Sequence, residues 1–181
     1  MATLTFRKMW LGLLLLGLSL GPGLAAADDF KVCGDASGDE AISACSRAIV
    51  SNRFTGNDLA KLLTNRGVEL KRQGKLDAAI ADYNGAIALN PKDMFSFNNR
   101  GNARRDKGDL QGAIADYAEA IRLDPDYAAA YVNRARVYES QGNLDGARAD
   151  FTAVLSTSDK YANSRGAKDL ARGRLKVLEK Q

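Results

Sequence analysis

The sequence contains no histidine and only two cysteines, and both shortages narrow the range of functions. Without histidine the chain has neither an imidazole general base nor a histidine metal ligand. It also lacks a nucleophile elbow and a phosphate-binding loop, and no group of Cys and carboxylates has metal-ligand spacing. We therefore predict a protein that is not an enzyme and that uses no metal and no cofactor.

Runs of like charge are also missing, so nothing in the sequence favours nucleic acid as a partner. The apolar run Met9–Leu20 is too short to be a good membrane span. Arg7 and Lys8 precede it, and Ala25–Ala27 provides the small residues of a cleavage site. This pattern predicts a signal peptide over residues 1–27, cleaved after Ala27. The mature protein would then be periplasmic or secreted, without stable membrane insertion; an uncleaved N-terminal anchor is the alternative.

The two cysteines, Cys33 and Cys45, lie just after the predicted cleavage site. An even number of cysteines in an exported chain indicates a disulfide. Their spacing differs from the C-x-x-C arrangement that lowers a thiol pKa. A structural disulfide is therefore favoured over the alternative, a redox-active pair.

A period of 34 residues dominates the remainder of the chain. The segment Gly74–Pro91 and the segment Gly108–Pro125 are identical at 11 of 18 positions, and Gly142–Asp159 is a more divergent copy. Such a period predicts stacked structural repeats instead of one closed core. Each copy contains two helical patterns, which we place at about Leu59–Gln73 and Leu76–Leu89 in the first copy.

Small and aromatic residues recur at fixed places in these copies. Gly67, Gly101 and Ala135 occupy one position, and Tyr83, Tyr117 and Phe151 occupy another. Alanine recurs before the aromatic residue, and proline follows the second helix in the first two copies. In these positions the chain resembles the tetratricopeptide repeat family. The resemblance implies an all-α, right-handed superhelix of about three and a half helix hairpins with a C-terminal capping helix.

The resemblance divides the mature chain into three parts. Residues 28–57 are expected to be a degenerate half-repeat and loop held by the disulfide, with a short first helix interrupted at Gly34. Three full repeats are expected at residues 60–93, 94–127 and 128–161. Residues 162–181 are expected to form the capping helix, whose basic side chains offer, as an alternative role, a surface for an acidic partner or anionic lipid.

Two positions depart from the family pattern in all three copies. Arginine replaces the usual leucine before the small residue of the first helix, and aspartate stands before the aromatic residue of the second helix. We predict that each pair forms an ion pair across its hairpin: Arg66–Asp82, Arg100–Asp116 and Arg134–Asp150.

In the family the first helix of each repeat lines a concave groove. The resemblance therefore implies a binding surface formed by Lys61, Asn65, Lys71, Phe95, Asn98, Asn99, Asn102, Arg105, Asn133 and Arg136. Asn65, Asn99 and Asn133 recur every 34 residues, and asparagine can both donate to and accept from an extended peptide backbone. These amides could instead satisfy neighbouring helix ends or water.

Relatives that grip an acidic C-terminal tail use Lys, Asn and Arg at particular concave positions. This chain keeps mainly Asn99 of that set, which does not favour such a carboxylate clamp. The resemblance implies an exported scaffold or adaptor that binds a protein or extended peptide, with a mildly acidic ligand favoured by the groove's cations. The alternative is a structural assembly protein of the cell envelope that self-associates.

Overall fold

The computed structural model describes residues 22–180, with side chains from Ala27 onward. Residues 1–21, most of the predicted signal peptide, lie outside this part. Nine helices and no strand occur between residues 22 and 180, which confirms the all-α solenoid. The helices are α1 (Pro22–Asp35), α2 (Gly38–Val50), α3 (Gly56–Arg72), α4 (Leu76–Leu89), α5 (Met94–Lys107), α6 (Leu110–Leu123), α7 (Ala128–Ser140), α8 (Leu144–Ser156) and α9 (Ser164–Leu178).

Consecutive helices pack as hairpins: α1 with α2, α3 with α4, α5 with α6, and α7 with α8. The second helix of each hairpin also contacts the first helix of the next one, and α9 packs on α7 and α8. Helix α4 has the predicted bounds, whereas α3 begins earlier than predicted, at Gly56. In the described part of the chain, no helix is both long enough and apolar enough to cross a membrane.

An aromatic ring lies directly over a glycine between the two helices of the first and second repeats. A Cβ atom built on Gly67 would lie 2.7 Å from the Tyr83 ring. Gly101 and Tyr117 are related in the same way, again at 2.7 Å. Both tyrosines are completely buried. The glycine is therefore required by a close approach, and a larger residue would push the helices apart.

The three predicted ion pairs are confirmed, and each is bidentate. Arg66 donates from Nε and Nη2 to the Asp82 carboxylate at 2.8 and 2.7 Å. The closest equivalent distances are 3.0 and 2.6 Å for Arg100–Asp116, and 2.9 and 2.7 Å for Arg134–Asp150. All three aspartates are at most 6% exposed. Because the carboxylates are buried, removing one arginine would cost far more than breaking a surface ion pair, about 3–5 kcal/mol.

Two of these arginines also connect one hairpin to the preceding one. Arg66 Nη1 donates to Ser46 on α2 at 3.1 Å, and Arg100 Nη1 donates to Asn84 on α4 at 2.7 Å. The hydrogen bonds from Arg66 to Asp82 raise the pKa of the guanidinium above its ordinary value, despite the opposing effect of burial. Arg66 and Arg100 therefore each fix the register of their own hairpin and the position of that hairpin on the preceding one.

The N-terminal hairpin is held by the Cys33–Cys45 disulfide, as predicted. Both cysteines are buried in a cluster with Leu62 of α3, so this hairpin packs on the first full repeat. Helix α1 differs from expectation, because it is a 14-residue helix that continues through Gly34. Packing of α1 on α2 and the disulfide stabilise this helix, and they offset the conformational entropy that a glycine loses in a helix.

Helix α9 covers the open end of the third repeat with an apolar stripe. Ala171 and Leu178 are buried against the core around Phe151, and Ala167, Leu170 and Leu175 pack beside them. Arg148 stands where the earlier copies have isoleucine, and its guanidinium donates to the Leu178 carbonyl at 3.1 Å. This polar substitution therefore satisfies a carbonyl at the C-terminal end of α9.

We expect Gly67→Ala to lower the free energy of unfolding by about 1–3 kcal/mol, because the added methyl group overlaps the Tyr83 ring. Urea unfolding followed by far-UV circular dichroism would measure this. Gly173→Ala in α9 is the matched control, since its Cβ would meet nothing within 4 Å. The control should gain about 0.5–1 kcal/mol from helix propensity. A gain at Gly67 as well would contradict the close-packing interpretation.

Candidate functional site

A cleft between α3 and α5 has a volume of about 500 Å³. It brings together four of the predicted groove residues: Lys61, Asn65, Phe95 and Asn99. The lining is completed by Asn57, Ala60, Thr64, Val68, Asn90 and Asp93. We call this cavity the α3–α5 cleft. Its surface is rich in side-chain amides, which can both donate and accept hydrogen bonds.

A short hydrogen-bond network fixes the floor of the α3–α5 cleft. Asp93 caps α5 by accepting from the backbone N–H groups of Phe95 and Ser96, both at 3.2 Å. The Ser96 hydroxyl lies 2.5 Å from Asp93 Oδ2 and 2.8 Å from the Thr64 hydroxyl on α3. Ser96, at the centre of this network, is fully buried, so its hydroxyl joins α3 to α5 at the base of the cleft.

Most cations predicted for the groove are paired within the protein. Lys61 lies 3.3 Å from Asp58, and Asp106 binds both Lys71 at 2.8 Å and Arg105 at 2.9 Å. Partial burial opposes ionisation of Asp106, but the hydrogen bonds from Lys71 and Arg105 outweigh it and lower its pKa. Neither Lys71 nor Arg105 lines the α3–α5 cleft.

Asn98 is not an exposed groove residue, contrary to expectation. Only 4% of it is exposed, and its side-chain oxygen accepts a hydrogen bond from Asn133 Nδ2 at 2.9 Å. This bond joins α5 to α7, so both amides help to hold adjacent repeats together. Asn133 is only partly buried and also lines a second cleft of about 370 Å³ against α9.

Asn102 is engaged inside its own repeat. It accepts a hydrogen bond of 2.9 Å from the hydroxyl of Tyr117. The same position holds Val68 in the first repeat, and there the buried Tyr83 hydroxyl has no hydrogen-bond partner among the described residues. Burial raises the pKa of Tyr83 well above its ordinary value. Arg136 holds this position in the third repeat, opposite Phe151, and is exposed.

A third cleft, of about 220 Å³, lies between α1 and α3. Cys33, Gly34 and Ala36 form one side, and Asn65, Val68, Glu69 and Arg72 form the other. Asn65 and Val68 line this cleft and the α3–α5 cleft as well. The concave surface therefore continues from α5 to α1 across these two side chains.

An aromatic cluster adjoins the α3–α5 cleft through Phe95, the second residue of α5, and includes Tyr127 and Tyr161, which precede α7 and α9. The ring centroids of Phe95 and Tyr127 are 5.4 Å apart, as are those of Tyr127 and Tyr161, and Phe95 lies 6.2 Å from Tyr161. We call these three residues the aromatic rim. The Tyr161 hydroxyl donates to Asp124, and Lys160 lies 2.8 Å from the same carboxylate. Hydrogen bonds from Lys160 and Tyr161 lower the pKa of Asp124.

Sequence reasoning did not assign to the site Asn57 at the start of α3, the loop residues Asn90 and Asp93, or the rim residues Tyr127 and Tyr161. A periodic signal for the rim existed, since Tyr127 and Tyr161 are 34 residues apart at the end of successive repeats. Within residues 22–180, no group of three or more Cys, Asp or Glu side chains is placed to hold a metal ion.

Family models described as tetratricopeptide repeat match residues 60–93 and 128–161, and a model described as TPR repeat matches residues 101–142. No curated protein sequence matches the chain significantly. A crystal structure of MamA protein is 22% identical, with a TM-score of 0.66, and the match covers 87% of this chain and 88% of that one.

Two further solved structures share the fold. A tetratricopeptide repeat protein from Parabacteroides merdae is 22% identical, with a TM-score of 0.67 over 88% of this chain and 63% of that one. The second TPR of Spaghetti (RPAP3), bound to an HSP90 peptide, is 29% identical, with a TM-score of 0.52 over 55% of this chain and 92% of that one.

The different surroundings of Tyr83 and Tyr117 predict opposite effects of removing their hydroxyl groups. Tyr117→Phe should lower the free energy of unfolding by about 1 kcal/mol, because it breaks the bond to Asn102. Tyr83→Phe should raise it by about 1 kcal/mol, because it removes a buried polar group without a partner in the described structure. Urea unfolding would measure the free energy of unfolding of both variants. Equal losses would mean that the two hydroxyls are satisfied alike.

Proposed function

This chain belongs to the tetratricopeptide repeat family, and from that premise we propose that it is a non-catalytic scaffold that binds a protein segment or extended peptide in the α3–α5 cleft. The observation that carries the proposal is the cleft itself, in which Asn65 and Asn99 stand at the same position of two successive repeats. Their amides can pair with the N–H and C=O groups that an extended backbone leaves free. The related domain of Spaghetti is bound to a peptide, which supports this class of ligand.

Charge contributes less to the proposed recognition than the sequence alone suggests. Internal salt bridges occupy Lys61, Lys71 and Arg105. A preference for a mildly acidic ligand would therefore depend on Lys61, which lines the cleft, and on the exposed Arg136, which lies outside it. Since the side chain of Lys61 is 66% exposed, its pairing with Asp58 is weak and leaves it able to reach a ligand.

Asn65→Ala combined with Asn99→Ala should weaken peptide binding about 10- to 100-fold, because each lost amide removes about 1 kcal/mol of hydrogen bonding. Peptides would be selected from a displayed random library on the full chain, and their dissociation constants measured by fluorescence anisotropy. Gln111→Ala combined with Thr152→Ala changes exposed helix positions outside the cleft and serves as the control.

Equal affinity of the two double variants would contradict binding in the α3–α5 cleft. Sedimentation of the same proteins would examine the alternative function, self-association of a cell-envelope assembly protein. A molecular mass that rises with protein concentration, and that both double variants leave unchanged, would favour that alternative.

We also propose that the protein is exported, with residues 1–27 removed as a signal peptide. The buried Cys33–Cys45 disulfide supports this, because such bonds persist in oxidising compartments. Cleavage after Ala27 would shorten α1 to its last eight residues. These would stay attached to α2 through the disulfide and through Asp29, which accepts a hydrogen bond from Arg47 Nη2 at 2.5 Å.

If the protein is exported, material from the periplasm or culture medium of an expressing bacterial cell should begin at Asp28 and contain no free thiol. Mass spectrometry before and after thiol alkylation would measure both properties. A Cys33→Ser, Cys45→Ser variant is the control, since it should be cleaved at the same bond. Full-length protein with two alkylated cysteines, found only in the cytoplasmic fraction, would contradict export.

A further inference from the structure

The α3–α5 cleft carries almost no net charge with which to select a ligand. Its lining contains one cation, Lys61, and one anion, Asp93. The Asp93 carboxylate already accepts hydrogen bonds from two backbone N–H groups and from the Ser96 hydroxyl. The remaining lining is amide, hydroxyl or apolar. Selectivity at this site must therefore come from hydrogen bonding and from apolar contact.

Phe95 is the large apolar side chain that the cleft presents. Five large hydrophobic residues are exposed in the described part of the chain: Val50, Leu89, Phe95, Leu155 and Val177. Of these five, Phe95 alone lines the α3–α5 cleft, and 44% of it is exposed. An exposed aromatic ring beside a row of amides can anchor one side chain of a bound segment.

The repeat fold does not require an aromatic residue at this place. The equivalent positions hold Lys61 in the first repeat and Ala129 in the third, each on the first helix of its repeat. Packing on Tyr127 and Tyr161 uses part of the Phe95 ring, but 44% of the residue is left exposed. The exposed part suits a ligand contact, because aromatic residues are enriched where one partner inserts a side chain into another.

The ring of Phe95 is held in place before any ligand arrives. Tyr127 packs edge-on against it at 5.4 Å, with planes 77° apart, and Tyr161 does so at 6.2 Å and 90°. Tyr127 is itself 7% exposed, and Tyr161 is tied to Asp124. A side chain that is already ordered loses little conformational entropy on binding. The aromatic rim thus provides a rigid apolar platform next to the amides.

We propose that the α3–α5 cleft selects an uncharged, extended segment that carries one aromatic side chain, which packs on Phe95 while Asn65 and Asn99 bind the main chain. This rests on the proposed peptide-binding function and specifies its ligand class. Aromatic rings pair well edge-to-face, and the Phe95 ring already uses this geometry with its two tyrosine neighbours. The site requires no terminal carboxylate and gains little from acidic residues.

The test uses the full chain with Trp10→Phe, so that no tryptophan remains whether or not residues 1–27 have been removed. The probes are peptides with blocked ends, taken from selection on a random library, with a tryptophan at the selected aromatic position. We expect enrichment of Trp, Tyr or Phe at one position, no enrichment of Asp or Glu, and a shift of the peptide emission to shorter wavelength on binding. Affinity should change little as sodium chloride is raised.

Phe95→Ala and Phe95→Lys should each weaken binding of the aromatic peptides about 10-fold, while a peptide with alanine in place of the aromatic residue should bind all variants equally weakly. Both variants install residues that other repeats carry at this position, so folding should be preserved, and far-UV circular dichroism would confirm it. Leu155→Ala is the control, since Leu155 is exposed but lies outside the cleft.

Two results would overturn the inference while leaving the proposed function in place. One is selection of acidic peptides whose affinity falls with salt and depends on Asn65 and Asn99. The other is selection of aromatic peptides whose affinity is the same for Phe95→Ala and wild type. Failure to select any peptide would contradict the proposed function, and with it this inference.

Discussion

A buried arginine–aspartate pair crosses each of the three repeat hairpins and holds its first helix in one rotation against the second. Each aspartate is nearly inaccessible, so a hairpin that slipped by one residue would leave a buried charge without its partner. The pair therefore holds the arginine toward the second helix. Successive residues of an α-helix are rotated by about 100°, so Asn65 and Asn99, each just before such an arginine, face a different side, where the α3–α5 cleft lies.

The same constraint explains how the repeats stay in contact with one another. Arg66 and Arg100 use their remaining guanidinium nitrogen to reach the preceding hairpin, through Ser46 and Asn84. On the concave side, hydrogen bonds between smaller polar side chains also join neighbouring repeats. Thr64 and Ser96 join α3 to α5, and Asn98 and Asn133 join α5 to α7. A polar residue on the inner surface can therefore belong to the scaffold, to the binding site or to both. Asn133, for example, bonds Asn98 and also lines the second cleft, against α9.

The sequence predicted those residues of the candidate site whose positions recur with the 34-residue period. Lys61, Asn65, Phe95 and Asn99 were identified by position alone, and they do line one cleft. The prediction was wrong about the exposure of Asn98, and it did not foresee that Tyr117 would engage Asn102. The hydrogen bonds Asn133–Asn98 and Tyr117–Asn102 do not follow from a 34-residue period, because each depends on a side chain that a different helix supplies. The loop residues Asn90 and Asp93 were missed for a related reason, since loops lack the helical periodicity that marks a face.

The sequence by itself determined the helical class, the repeat, the ion pairs and the disulfide of this protein. These features depend on local periodicity and on substitutions that recur together, and both are visible along the chain. Only the tertiary structure decided that α1 continues through Gly34, that Asn98 is buried and that three aromatic rings meet beside one cleft. The physical reason is that burial and ring packing join residues from separate hairpins. Their relative placement depends on how the repeats stack, which no single repeat encodes.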